Sequence, residues 1–108
     1  MKKAIISQHM RGLTVDEILC NREALTKQLA AKGYHVIDTV FTEEFPGIVT
    51  AEQRSRYCLG KVISLFATVD LVVFVDGWES ARGCRVEHYV CEQYDIPHIN
   101  ACDVDKLQ

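Results

Sequence analysis

The sequence predicts an α/β fold: a Rossmann-like, single-domain three-layer sandwich around a four-stranded parallel sheet of order 2-1-3-4. Three observations carry that expectation. Short apolar runs rich in β-branched residues alternate with stretches of helical periodicity, which right-handed βαβ crossovers produce. Residues 71–75 (LVVFV) are apolar without interruption, as in a strand covered on both faces. The chain then turns polar at once, with Asp76, Gly77, Trp78, Glu79, Ser80, Arg82 and Gly83. In open α/β sheets such a loop, outside the carboxyl ends of the strands, is where ligands bind.

In chain order, residues 4–7 form the first strand, followed by a glycine-containing loop, QHMRGL. Thr14 and Glu17 fit a capping box, in which hydroxyl and carboxylate satisfy each other's backbone amides. The helix they open runs to about Lys32, with Val15, Ile18, Leu25 and Leu29 on one stripe and Gly33 as its stop. Arg22 falls close to that stripe and reads as a snorkelling surface arginine. Residues 34–40 (YHVIDTV) form the second strand. The loop at 41–49 is longer than a connection requires, so it is expected to cover a site or a subunit contact. Thr50 and Gln53 make a second capping box, and their helix buries Leu59, Val62, Ile63 and Phe66 up to about Ala67. Gly60 weakens that helix unless a close neighbour needs the space. The third helix spans 81–94. Residues 96–99 give an edge strand, where Pro97 is tolerated, ending a domain of residues 1–100. The polar tail 101–108 is expected to be only partly ordered.

At 108 residues the chain makes one domain, and its 48% hydrophobic and 25% charged content is that of a globular protein. A net charge of −3 with scattered lysines and arginines argues against a nucleic-acid polymer as partner. No run approaches a membrane span, and the apolar stretch of MKKAII is too short for a signal peptide. Five cysteines without a C-x-x-C or a Cys/His metal spacing imply free thiols, no metal site and a cytoplasmic location. Neither a G-x-G-x-x-G fingerprint nor a P-loop is present, and no cofactor is expected.

The order 2-1-3-4 puts a switch-point crevice between residues 8–12 and 76–83. Glu87 shares a helical face with Gly83, Val90, Cys91 and Tyr94, the face that should turn inward. Either it caps its helix or pairs with Arg11, Arg82 or Arg85, or the helix start lowers its pKa and keeps it ionised as a nucleophile. Asp76 is a turn residue or lines the site. Two carboxylates presented from adjacent positions suit glycosidic bond cleavage. Ser80, Arg82, Gly77 and Gly83 form a loop suited to an anion at a helix start. Trp78 is a base-stacking platform or a subunit-contact anchor, and His9 and His88 are weaker acid–base candidates.

Three segments, ISQHMRG, VIDTVF and DLVVFVDGWESARGCRVEHYVCEQYDIPHI, resemble small bacterial and phage proteins of the nucleoside 2-deoxyribosyltransferase-like superfamily. The resemblance implies N-glycosidic bond cleavage or transfer on 2-deoxynucleosides or their 5′-monophosphates, with Glu87 as nucleophile and Asp76 assisting base binding and protonation. It places the sugar or its phosphate at the first loop, where Arg11 and Gly12 occupy the equivalent place, beside Ser7, Gln8 and His9. With Trp78, Ser80, Arg82 and Gly83 these are the expected substrate-binding residues. It also implies a homo-oligomer whose sites are completed by a neighbouring subunit. Gln8-His9 departs from the small pair usual in that loop, and no counterpart of the C-terminal active-site asparagine of the transferases is present. The alternative is a module that holds a nucleotide or nucleotide derivative in the same crevice without cleaving it.

Overall fold

A computed structural model describes residues 1–10 and 12–107. Its elements are β1 (Lys2–Ser7), α1 (Val15–Ala31), β2 (Tyr34–Val36), α2 (Ala51–Leu65), β3 (Leu71–Phe74), α3 (Arg82–Gln93) and β4 (His98–Asn100). The four strands form one parallel sheet of order β2-β1-β3-β4. Alternation along β1 and β3 divides the core. Ala4, Ile6, Leu71 and Val73 meet Leu25 and Leu29 of α1 on one face. Ile5, Val72 and Phe74 meet Val62, Phe66 and Cys91 on the other, beneath α2 and α3. The helices leaving β1 and β3 therefore lie on opposite faces, and the topological switch point, where such sheets form their crevice, falls where Ser7 and Phe74 stand side by side at the ends of their strands.

Both capping boxes form, at Thr14–Glu17 and Thr50–Gln53. Gly33 follows α1 at φ +88°, a left-handed conformation that only glycine adopts without strain. Several expectations need correction. The second strand stops at Val36, because the Asp38 carboxylate accepts from the Val40 amide and turns the chain away from the ladder. Val15 is exposed, so the buried stripe of α1 is Ile18, Arg22, Leu25 and Leu29. A Cβ at Gly60 would meet nothing within 4 Å, so no close neighbour explains that glycine. The tail is ordered: residues Ala101–Lys106 form a 3₁₀ helix. It seats Val104 in the core beneath α1, and Lys32 Nζ ties it down through the carbonyls of Asp105 and Leu107. Among the described residues no helix is long and apolar enough to cross a membrane.

Candidate functional site

The crevice is built outward from the end of β1. Ser7 points to the α3 face and Gln8 to the α1 face, as strand alternation requires. Gln8 is buried, and its side-chain carbonyl accepts from Arg22 Nε at 2.7 Å. Arg22 is 5% exposed, which overturns the reading of a surface arginine. Its guanidinium also donates to the Ile6 carbonyl at 2.9 Å and to the Thr39 hydroxyl at 3.3 Å. It thus joins α1, the end of β1 and the segment after β2. Burial lowers its pKa from the usual arginine range, and the nearby Asp38 carboxylate opposes that shift. The Gln8 side chain is committed to this network, whereas His9 is exposed. Gly12, at φ +84°, turns the chain toward α1. Arg11, expected to bind the sugar or its phosphate, lies outside the described residues.

On the opposite face α3 carries Cys84, Glu87 and Cys91 inward. Glu87 is 9% exposed and has no ion-pair partner among the described residues. Arg82 pairs instead with Glu52 of α2 at 3.0 Å, and Arg85 donates to the Glu79 carbonyl. Neither cation holds the buried carboxyl. The pKa of Glu87 is consequently not lowered. Desolvation pushes it up to about 7, with the Ser7 hydroxyl opposing the shift. The expected helix-start stabilisation is outweighed by loss of water.

Ser7 is 2% exposed, and its Oγ has no partner in hydrogen-bonding geometry among the described residues. It lies close enough to Glu87 and Cys84 to act on both without a formed bond. Burial also raises the Cys84 and Cys91 thiols, so neither is a thiolate near neutrality. All five cysteines are free.

Between β3 and α3 the chain makes the Asp76-Gly77 turn, with Gly77 at φ +90°, and then a 3₁₀ turn at Trp78–Ser80. Asp76 is exposed at the rim. The Ser80 hydroxyl donates to the Gly77 carbonyl at 2.8 Å, and no side chain caps the start of α3, where Ala81 is the N-cap and Gly83 sits in the first turn. The Trp78 ring stacks on His88 at 4.1 Å between centroids and packs against Phe74. His88 is held from the other side by Glu92 at 3.1 Å. His88 packs against Trp78, Phe74 and His98.

The structure brings Ser7, Glu87 and the start of α3 together on one side of β1 and β3, and Gln8 with Arg22 on the other. It turns Arg82 toward α2. The 41–49 loop is pinned to α2: Arg54 donates to the carbonyls of Phe41 and Glu43 and stacks over the Phe45 ring. An open depression there, lined by Phe45, Ile48, Val49 and Arg54 among others, is separate from Glu87. Sequence reasoning missed Arg22 and Thr39 as parts of the crevice. The available signal was an arginine on the apolar stripe of α1.

Among the described residues no cluster of His, Cys, Asp or Glu has the arrangement of a metal site. No curated protein and no solved structure matches the chain. A family profile described as a domain of unknown function, DUF4406, matches residues 2–100, nearly the whole sequence, and the chain belongs to that family.

Proposed function

We propose that the crevice binds a 2-deoxynucleoside or its 5′-monophosphate and that Glu87 cleaves the N-glycosidic bond. The observation that carries this reading is a buried carboxyl that has no counter-cation among the described residues, at the mouth of a parallel sheet, beside a buried hydroxyl with no hydrogen-bond partner among them. An isolated carboxyl there is unfavourable for folding, and a sugar developing positive charge at its anomeric carbon would supply the missing cation. In the first step the Glu87 carboxylate forms a bond to that carbon. The C–N bond breaks, and its electron pair leaves on the base nitrogen, which takes a proton from a water oriented by the Asp76 carboxylate. Water, or a second base in a transfer reaction, then displaces Glu87 from the sugar. The uncapped amides at the start of α3 suit a 5′-phosphate. The free thiols fit a reducing, cytoplasmic compartment.

The raised pKa favours a second reading as well. Near neutrality Glu87 is partly protonated and can donate a hydrogen bond to a captured nucleotide without attacking it. Chromatographic assay of base release from a panel of 2-deoxynucleosides and their monophosphates separates the two. For the cleavage reading, wild-type protein releases base and Glu87→Ala does not, with activity falling about tenfold per pH unit below pH 7. Nucleotide binding without release, retained in Glu87→Gln, would support capture. Neither binding nor release would remove both readings.

A further inference from the structure

We propose that the outward face of α3 is a self-association surface, which pairs antiparallel with the same face of a second copy about a two-fold axis at the level of His88 and Tyr89. α3 has two stripes. The inward one is Cys84, Glu87 and Cys91. The outward one is Arg82, Arg85, Val86, Tyr89, Glu92 and Gln93, recurring at intervals of three and four as in a helix that packs on another helix. At its centre Tyr89 is 62% exposed, flanked by exposed Val86, and Tyr94 just beyond the helix is exposed too. Tyr89, Val90, Gln93 and Tyr94 border an open depression on this surface.

Charge identifies the occupant. α1 and α2 carry acidic residues in their first turns, as the helix dipole favours. α3 has none there and no basic residue in its last turn. Its arginines, 82 and 85, sit at the amino end, while Glu92 and Asp95 sit at the carboxyl end. That arrangement is unfavourable within one helix and complementary between two antiparallel ones. Arg85 and Glu92 share a midpoint between residues 88 and 89. A two-fold axis there therefore places each Arg85 against Glu92 of the other copy and brings the two Tyr89 rings together. Such an isologous contact is the commonest form of homo-oligomer. The existing partners of these side chains, Glu52 for Arg82, the Glu79 carbonyl for Arg85 and His88 for Glu92, leave further donors and acceptors free.

The helix has 12 residues and is about 18 Å long, so the contact is small and the dimer weak and salt-sensitive. The inference does not rest on the glycosidic reading, and base release is not its readout. The test is sedimentation velocity over a concentration series at low and high salt, with circular dichroism confirming the fold of every variant. Wild-type protein should dimerise as concentration rises, and salt should weaken the dimer. Arg85→Glu and Glu92→Arg should each weaken it at least about tenfold by setting like charges against each other, and Tyr89→Glu should abolish it. The double variant Arg85→Glu/Glu92→Arg restores both pairs across the axis and should recover the dimer. A protein that stays monomeric, association untouched by these substitutions, or a folded double variant that stays dissociated would overturn the proposal.

Discussion

Replacing Glu87 by glutamine should make the protein more stable, and by an amount that depends on pH. Burial raises the folded-state pKa of this carboxyl from the ordinary 4.5 to about 7. Below pH 4.5 folded and unfolded chains both carry the proton, so Glu87 brings no penalty. Between pH 4.5 and 7 the unfolded chain releases its proton while the folded protein keeps it, and stability falls as pH rises. Above pH 7 the folded protein holds a buried carboxylate and the loss is complete. At 1.36 kcal/mol per pKa unit, that loss is about 3 kcal/mol. Glutamine has the same shape and no proton to lose, so its stability stays flat where the wild type declines. In urea unfolding at a series of fixed pH values, the variant's advantage should therefore grow by about 3 kcal/mol between pH 4.5 and 8. A difference that stays constant over this range would show that Glu87 is not desolvated. A variant less favoured at pH 8 than at pH 5 would show a carboxylate stabilised in its ionised form, and the reasoning about the site would fail.

Arg22→Met should cost about 2–4 kcal/mol in the same unfolding assay, because Gln8, Thr39 and the Ile6 carbonyl lose a shared donor inside the protein. Arg22→Lys should recover only part of it, since an ammonium cannot reproduce the guanidinium fork. Gly60→Ala should stabilise α2 by about 0.5–1 kcal/mol, because the site is open and helical; a loss of stability in thermal melts would contradict that. Val104→Ala should destabilise by about 2 kcal/mol and speed amide exchange in the 3₁₀ helix at Ala101–Lys106, if that helix is seated as described.

Periodicity made the sheet and its helices legible. The uninterrupted LVVFV at 71–75 reads as a covered strand, and the ladder takes up 71–74 of it; both capping boxes marked helix starts to the residue. Spacing alone also turned Glu87 inward. Its charge state was not legible, because that depends on which cations reach it, and Arg82 and Arg85 are drawn away by Glu52 and the Glu79 carbonyl. Arg22 shows the same limit. One arginine on an apolar stripe reads as a surface residue until Gln8 and Thr39, distant in sequence, arrive as partners. The tail looked polar because a single side chain, Val104, supplies its deepest anchor.

The guanidinium behind the first loop gives the mouth of the sheet a standing polarity. Arginine keeps its proton throughout the range in which proteins work, so a positive centre waits on the α1 side of β1 before any ligand arrives. Across the strand, Glu87 changes from neutral to negative near pH 7. Acidification would therefore make the mouth of the sheet more hospitable to anions without moving the backbone, and alkali would set opposed charges on its two walls. A single protonation sets that contrast between the two walls.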